Sequence, residues 1–127
     1  MALSPAQKAR LKTAAAEAAA TEKETGFPAE VVIAQWALES GWGASQPGNN
    51  CFGHKSPILS RDNSKRQLLT TKEWFNQGEL QHFLGLGDGR IAKEDTDIAP
   101  RNGRRRYTVK DWFMKYAALA EAFSVHA

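Results

Sequence analysis

The first part of the chain carries two segments whose apolar positions recur with the period of an α-helix. Ser4 opens the first segment as a good N-cap, Pro5 fits the first turn and Gln7 completes a capping box. Gly26 ends this helix after Thr25, since glycine readily adopts the left-handed conformation that closes helices. The helix has a thin apolar face that consists of Leu11, Ala14, Ala15 and Ala18.

The second helical segment covers residues 29–40, between Pro28 and Gly41. Its residues, AEVVIAQWALES, are apolar on nearly every side. A helix with this composition is normally central and buried. The sequence therefore predicts a buried second helix.

The middle of the chain is predicted to form a loop followed by two strands. Glycine, proline and asparagine predict a loop over residues 42–65. Residues 67–75 and 80–84 are predicted strands, joined by a hairpin turn at residues 76–78. A short helix that begins within residues 71–75 is the alternative.

The last third of the chain predicts a loop followed by a helix. Residues 85–106 are polar and contain glycine, which indicates a long loop of the kind that often borders a functional site. A last helix is predicted from Thr108, a good N-cap that has Asp111 three residues further on. Its core-facing stripe consists of Trp112, Tyr116, Leu119 and Phe123. The expected fold is α+β and mostly α, as a single domain over residues 1–127.

Composition agrees with one globular domain, since the 127 residues are 42% hydrophobic and 24% charged. The single cysteine, Cys51, excludes an internal disulfide and is typical of a small buried hydrophobic residue. Cys51 and His54 have the spacing of a ligand pair, but no second pair accompanies them. His82 and His126 stand alone in the sequence. No metal site and no cofactor are therefore expected.

The net charge of +3 favours an anionic partner only mildly. Basic residues cluster at Arg101, Arg104, Arg105 and Arg106. That cluster is either a solvated face or an anion-binding one. Because no recognised nucleic-acid motif accompanies it, no nucleic-acid partner is expected.

Two observations bear on localisation. No apolar run approaches the length of a membrane span, so no membrane insertion is expected. Residues 1–20 lack the apolar core of a secretory signal. We therefore expect no export signal in this segment, and a role outside the cytoplasm would require a domain of a longer protein or release by other means.

Glu39 is the main candidate for chemistry. It shares a helical face with Trp36, a face predicted to be buried, and it lies at the negative end of the helix dipole. Both effects disfavour the ionised carboxylate and favour the proton donor that glycoside cleavage needs. A structural ion pair with an arginine of residues 101–106 is the alternative. The turn that follows favours chemistry, because it places the indole of Trp42 beside the carboxyl.

Three motifs resemble those of one family. Residues 34–43, AQWALESGWG, resemble the A-Q-x-A-L-E-S-G-W-G motif of the glucosaminidase domains of glycoside hydrolase family 73. Residues 50–55, NCFGHK, resemble its N-x-F-G-x-K motif. Arg106-Tyr107 and the segment after it resemble its arginine–any–tyrosine segment and closing helix. The three stand in the family's order and cover most of residues 27–119.

The resemblance implies a lysozyme-like fold in which a helical lobe and a small β-hairpin lobe flank a cleft. It also implies hydrolysis of the β-1,4 bond on the reducing side of N-acetylglucosamine in peptidoglycan. Glu39 matches the family's general acid. Glu73, in a T-x-E segment, is the expected second carboxylate, and Glu79 is its main rival. Tyr107 matches the tyrosine that would hold the N-acetyl group or the developing charge.

The expected substrate-binding residues follow from the same motifs. Trp42 and Trp74 would stack on sugar rings, although core packing is the commoner role for Trp74. Lys55 would reach a carboxylate of the peptide stems or be a plain surface residue. Asn50 and Phe52 complete the set, although shaping the loop is their commoner role. Peptidoglycan is the only expected partner, and a monomer is expected. The expected place of action is the bacterial cell wall, in the periplasm or outside the cell, for a phage-encoded protein or a part of a larger exported one.

The chain departs from the family at residues 85–106, which form a longer segment than the family has there, and it lacks a phenylalanine that usually stands near the tyrosine. Both departures affect the alignment of Glu73 more than that of Glu39. An N-acetylmuramidase and a lytic transglycosylase are the alternative activities. The G-L-M-Q and A-Y-N segments of transglycosylases are not found in the sequence. A non-catalytic wall-binding module is the alternative of another class.

Overall fold

The first helix forms as its sequence predicts. The computed structural model describes residues 2–127, and helix α1 spans Pro5–Thr25. The Ser4 hydroxyl accepts a hydrogen bond from the Gln7 amide at 3.1 Å, and the Gln7 side chain accepts one from the Ser4 amide at 2.8 Å. Gly26 closes the helix at φ +78° and donates its amide hydrogen to the Glu22 carbonyl. The capping-box prediction is confirmed.

Helix α2 spans Ala29–Ser40, so its predicted bounds are confirmed. The prediction that it is buried on every side is wrong. Only Val32, Trp36 and Ser40 are buried, while Leu38 is 82% exposed. These three positions follow one another at four-residue intervals, so the helix buries one stripe against its unit and leaves the rest of its apolar surface in solvent.

Helices α1 and α2 belong to the first of two compact units, which comprises residues 2–54 and 114–127. A short 3-10 turn, Pro47–Asn49, interrupts the predicted loop, and helix α4, Leu119–His126, completes the unit. Buried side chains of all three helices and the loop meet in one core. Its members include Ala14, Ala18, Val32, Trp36, Cys51, Phe52, Tyr116 and Phe123.

The second unit, residues 55–113, carries the sheet. Strand β1 is Arg66–Phe75, strand β2 is Ile91–Glu94 and strand β3 is Arg105–Met114. They lie in the order β1-β3-β2. Strands β2 and β3 are antiparallel, with Ile91 opposite Lys110 and Glu94 opposite Tyr107. The first predicted strand is thereby confirmed, and a helix start within residues 71–75 is wrong.

The second predicted strand and its hairpin turn are wrong, because helix α3, Gln77–Gly85, replaces them. Asn76 is its N-cap and accepts the Glu79 amide hydrogen at 2.8 Å. Glu79 accepts the Asn76 amide hydrogen in return at 2.9 Å. An Asn-x-x-Glu spacing is a helix-start signal that the turn prediction overlooked.

The predicted last helix is also wrong over its first part. Residues 105–114 form β3, in which Tyr107, Val109, Asp111 and Phe113 are buried. This is the two-residue period of a half-buried strand, and β-branched and aromatic residues favour it over the weaker helical stripe. The helix α4 begins only at Leu119. Residues 85–106 are likewise not all loop, since β2 lies within them.

Within residues 2–127 no helix is both long and apolar enough to cross a membrane.

Candidate active site

Glu39 lies in the last turn of α2, next to the buried Ser40. Its side chain belongs to an exposed residue, so the predicted dry surroundings are wrong. The buried stripe of α2 passes through Trp36 and Ser40, and Glu39 lies at its border. Gly41 ends the helix at φ +57°, and a turn over residues 41–44 follows it.

The loop of residues 50–55 approaches the Glu39 carboxyl at Gly53. A Cβ atom added to Gly53 would lie 4.0 Å from the Glu39 Oε2 atom, and Gly53 has φ +67°. A side chain at position 53 would therefore begin in van der Waals contact with the Glu39 carboxyl group. The first two motifs meet at this point of the first unit.

Within its own unit, over residues 2–54 and 114–127, Glu39 has no ion pair within 4.0 Å. Three arginines of the cluster have acidic partners in the second unit. These pairs are Arg104–Glu79 at 2.8 Å, Arg105–Glu94 at 3.8 Å and Arg106–Asp95 at 2.8 Å.

The turn after Glu39 is held by specific bonds. The Ser40 hydroxyl donates to the Trp36 carbonyl at 2.5 Å and accepts the Gly43 amide hydrogen at 2.9 Å. The Arg10 Nε–H donates to the Trp42 carbonyl at 2.7 Å. Trp42 has φ +57°, an uncommon conformation for a non-glycine residue, so these contacts hold it against its local preference.

Trp42, the predicted sugar-stacking residue, is partly exposed. Its ring packs edge-on against Trp36, with centroids 6.2 Å apart. It also lines an open cavity of about 540 Å³ on the surface of the first unit. The other lining residues are Ala34, Ala37, Leu38 and Gly41. This apolar surface beside the Glu39 turn suits the faces of sugar rings.

Glu73 lies on β1, where Lys55 holds it. The Lys55 Nζ atom lies 2.8 Å from Glu73 Oε1 and 3.3 Å from Asp111 Oδ2. Partial burial opposes the charge on Lys55, but hydrogen bonds and attraction from both carboxylates raise its pKa above the ordinary value. Glu73 remains 28% exposed. It is therefore a partly accessible carboxylate with a fixed cationic partner.

Sequence reasoning missed Asp111 as part of this group, because it placed the residue in a helix. Asp111 is buried, and its Oδ1 atom accepts from the Arg90 Nε–H at 3.0 Å and from the Trp112 amide at 2.8 Å. The buried Arg90–Asp111 pair anchors Lys55, and through it Glu73. Only the alternation along β3 could have indicated an inward-facing aspartate.

The rival carboxylate, Glu79, has two structural roles. It completes the capping box of α3 with Asn76, and it accepts a hydrogen bond from the Arg104 guanidinium at 2.8 Å. The hydrogen bond from Arg104, with that from the Asn76 amide, lowers the pKa of Glu79. A carboxylate committed to a cap and an ion pair is a weaker candidate than Glu73.

The ring of Tyr107 lies in the core of the second unit, and the residue is 4% exposed. It packs against Phe75, with ring centroids 5.9 Å apart, and belongs to the cluster of Phe83 and Val109. No side-chain nitrogen or oxygen within residues 2–127 is both buried and without a hydrogen-bond partner. Since no hydrogen bond to the Tyr107 hydroxyl is found among those residues, its oxygen reaches the surface of the unit.

Two predicted substrate-binding residues have structural roles instead. Asn50 is 4% exposed, and its amide donates to the carbonyls of His54 at 2.8 Å and Met114 at 2.9 Å. Its oxygen accepts the His54 amide hydrogen at 3.0 Å. Phe52 is buried in the core, with centroids 5.1 Å from Phe123. Because neither side chain is accessible, assigning them to substrate contact is wrong.

Trp74 is partly exposed on β1, with the Arg101 guanidinium 5.2 Å above its ring. This arrangement is a cation–π contact at the surface of the second unit. Trp74 is therefore not a core residue, and a sugar that stacks on the same face has to displace Arg101.

The structure contradicts the expectation that His126 stands alone. Its Nδ1 atom lies 2.9 Å from His54 Nε2, and its ring stacks on Phe52 with centroids 3.8 Å apart. Cys51, the other half of the supposed ligand pair, is buried, and burial raises the pKa of its thiol to about 12. That thiol is chemically inert at neutral pH.

Comparison with protein families decides the assignment. A model of the glucosaminidase family, described as mannosyl-glycoprotein endo-β-N-acetylglucosaminidase, matches residues 15–127. The chain belongs to this glucosaminidase family. Among curated proteins, none matches the chain significantly by sequence.

Solved structures similar to this glucosaminidase-family chain share its fold. The catalytic domain of the autolysin Auto from Listeria monocytogenes has a TM-score of 0.60 and 23% identity, over 99% of this chain and 57% of that one. A peptidoglycan hydrolase mutant from Sphingomonas sp. A1 has a TM-score of 0.55 and 23% identity, over 93% of this chain and 62% of that one. A truncated glycoside hydrolase domain of FlgJ from Salmonella typhimurium has a TM-score of 0.55 and 24% identity, over 94% of this chain and 65% of that one. The expected lysozyme-like class, α+β and mostly α, is confirmed.

The glucosaminidase-family chain is shorter than these relatives. It spans between 57% and 65% of the length of the three chains.

Proposed function

We propose that this chain hydrolyses the β-1,4 bond on the reducing side of N-acetylglucosamine in bacterial peptidoglycan. One observation carries the proposal: Glu39, the glutamate of the first motif, is an exposed residue in the last turn of α2, and Gly53 of the second motif lies close to its carboxyl group. Membership of the glucosaminidase family supports it, as does the fold shared with an autolysin, a peptidoglycan hydrolase and a glycoside hydrolase domain.

Glu39 is the proposed general acid. Because Glu39 is exposed in the free protein, its carboxyl group loses contact with water only when substrate binds. A sugar ring placed over the carboxyl expels water and disfavours the charged form. The proton can then pass to the glycosidic oxygen, which leaves poorly without it.

Glu73 is the proposed second carboxylate. Its contact with Lys55 keeps it in place, and an ion-paired carboxylate is a poor proton donor. It suits the complementary task, which is to stabilise positive charge on the sugar or to activate the attacking water. The two carboxyl groups therefore have different proposed roles, because Glu73 is ion-paired with Lys55 and Glu39 has no ion pair in its own unit.

Two aromatic residues complete the proposed site. Trp42 offers a partly exposed indole beside an apolar surface, and we assign it to stacking on a sugar ring. Tyr107 offers only its hydroxyl, which we assign to a polar group of the substrate such as the N-acetyl group. The reaction uses carboxyl groups and water, so the proposal includes no cofactor. The proposed place of action is the cell wall, outside the cytoplasm.

Release of reducing sugar from purified peptidoglycan tests the two carboxyl assignments. Glu39→Gln preserves size and should reduce the rate by at least about a hundredfold, the lower limit for a lost general acid. Glu30→Gln, an exposed change in the first turn of the same helix, is the matched control. Near-normal turnover by Glu39→Gln would sink the assignment.

The second assignment is tested by comparing Glu73→Gln with Glu79→Gln. Glu73→Gln should lose most of the activity and keep the fold. Glu79→Gln should keep the activity per folded molecule and the cap of α3, because glutamine also completes a capping box, as Gln7 does in α1; it should lose only the ion pair with Arg104. The opposite pattern would make Glu79 the second carboxylate.

A further inference from the structure

Four side chains of the first unit form a continuous hydrogen-bonded line. The Tyr116 hydroxyl lies 2.8 Å from His54 Nδ1, His54 Nε2 lies 2.9 Å from His126 Nδ1, and His126 Nε2 lies 2.7 Å from Gln35 Oε1. We call this line the histidine chain; its members are Gln35, His54, Tyr116 and His126. The proposed mechanism uses none of them.

The acceptor at one end fixes the direction of every bond when both rings are neutral. An amide oxygen only accepts, so His126 Nε2 carries a hydrogen when it binds Gln35. In the neutral ring Nδ1 is then bare and accepts from His54 Nε2–H. His54 Nδ1 is bare in turn and accepts the Tyr116 hydroxyl hydrogen. The neutral chain therefore has the hydrogen of each ring on Nε2.

The same geometry admits one added proton and no more. The His54 Nε2 hydrogen passes to His126 Nδ1, and a proton from water replaces it on His54 at Nδ1, which then donates to the Tyr116 oxygen. The positive charge ends on His126, and every bond of the chain is kept. A second proton would set two N–H groups against each other across 2.9 Å.

The chain ends on the helix that carries Glu39. Gln35 and Glu39 are four residues apart in α2, so they are neighbours on one helical face. His126, bonded to Gln35, lies beside that face. The attraction of the Glu39 carboxylate opposes the burial that lowers the pKa of His126. Charge on the two residues is thus coupled.

We propose that the histidine chain stores one proton beside Glu39 and thereby sets the pH range in which Glu39 acts as an acid. Its members are positioning residues, and the inference rests on the proposed role of Glu39. When the chain is neutral, Glu39 keeps its proton more readily. When the chain takes up its proton, the cation on His126 stabilises the Glu39 carboxylate and weakens the acid.

The charged and titratable groups around the chain are few. Glu39 faces His126 from α2. His54 itself has a pKa lowered by burial and by the neighbouring His126. Burial, with the charges of Glu121 and Cys51, raises the pKa of Tyr116, which therefore stays a hydroxyl donor. None of these groups favours a state in which His54 and His126 are both positively charged.

Nitrogen NMR of the wild-type protein, with imidazoles labelled, tests the geometry directly. Near neutral pH both His54 and His126 should show a protonated Nε2 and a bare Nδ1. On acidification the pair should take up one proton while the fold persists. A hydrogen on Nδ1 of either ring at neutral pH, or uptake of two protons by the folded pair, overturns the chain. The exposed His82, assigned through His82→Gln, is the internal reference.

The coupling is tested in both directions. Glu39→Gln should lower the pKa of His126 further and leave His82 unchanged. His126→Gln should move the alkaline limb of the kcat/KM profile on peptidoglycan to higher pH, because the cation that stabilises the Glu39 carboxylate is removed. Activity on that limb should rise about twofold, the size expected for a weak interaction between two charges in water. His82→Gln should leave the profile unchanged.

The two failures are distinguishable. If Glu39→Gln is active, the proposed function of Glu39 fails. If Glu39→Gln is inactive but His126 titrates identically in both proteins, the histidine chain alone fails. Should His126→Gln not fold, the NMR titrations of wild type and Glu39→Gln still decide.

Discussion

Lys55 binds Glu73 across 2.8 Å while Asp111 holds the same ammonium at 3.3 Å. The lysine of the second motif is thus joined to the glutamate of the T-x-E segment. This relationship gives Lys55 a role that the sequence did not indicate, since a peptide carboxylate was its expected partner. The contact instead fixes the proposed second carboxylate.

Lys55→Met should reduce kcat/KM on peptidoglycan about tenfold, because Glu73 loses the partner that holds it and Asp111 loses one of its two cations. Lys55→Arg keeps the charge and should retain more of the rate. Steady-state kinetics on soluble glycan fragments measures both. Equal rates for the wild type and Lys55→Met would contradict a role for this contact.

Gly43→Ala should destabilise the first unit. An added Cβ would lie 2.9 Å from both the Trp36 ring and the Arg10 side chain, at φ +80°. Overpacking of this kind costs about 1–3 kcal/mol, in addition to about 1–2 kcal/mol for the left-handed conformation. Gly26→Ala is the matched control, since Gly26 has φ +78° and nothing within 4 Å. Chemical denaturation should show the larger loss for Gly43→Ala, and equal losses would contradict the close packing of this turn.

Stability should fall as the solution is acidified from about pH 6.5. The pKa values of His54 and His126 are lowered from 6.5 in the folded protein, chiefly by burial. The unfolded chain therefore binds protons first, so the histidines favour folding above pH 6.5 and that contribution is lost as the pH falls through their folded values. Asp95, with a pKa of about 2, loses its contribution only at much lower pH.

Thermal denaturation between pH 7.5 and 5 measures this effect. His54→Gln and His126→Gln should each flatten the dependence, and His82→Gln should not. A wild-type melting temperature that is constant over this range would contradict the burial of neutral histidines.

Tyr107→Phe should preserve the fold and lower the rate. The ring packs in the core against Phe75, and phenylalanine keeps that packing. Loss of one hydrogen bond to substrate corresponds to about a tenfold loss of kcat/KM. Unchanged kinetics with unchanged stability would restrict Tyr107 to the core.

Local signals predicted the helical unit well and the sheet unit poorly. Ser4, Pro5, Gln7 and Gly26 specify α1 through bonds within a few residues, so sequence alone sufficed. The aromatic stripe from Trp112 onwards satisfied a helical period by chance, while pairing with distant strands decided β3. Sequence periodicity contains no information on which distant strands pair. The Asn76–Glu79 capping box was overlooked because the same residues also carry strand and turn signals.

The features of the candidate site were also only partly predictable from the sequence. Motif spacing predicted Glu39, Trp42 and Glu73 as site residues, and that assignment stays a prediction. Burial depends on what packs against a helix, so the sequence could not show that Glu39 is exposed. The link between His54 and His126 joins residues 72 positions apart, so no local pattern could reveal it.

Mass spectrometry of the products of purified peptidoglycan, digested by the wild-type protein with Glu39→Gln alongside, tests the central claim most directly. The account predicts soluble fragments that end in reducing N-acetylglucosamine, from the wild type only. Fragments that end in reducing N-acetylmuramic acid or in its 1,6-anhydro form would assign a muramidase or a transglycosylase instead. Intact peptidoglycan after wild-type treatment, or equal digestion by Glu39→Gln, would contradict the account.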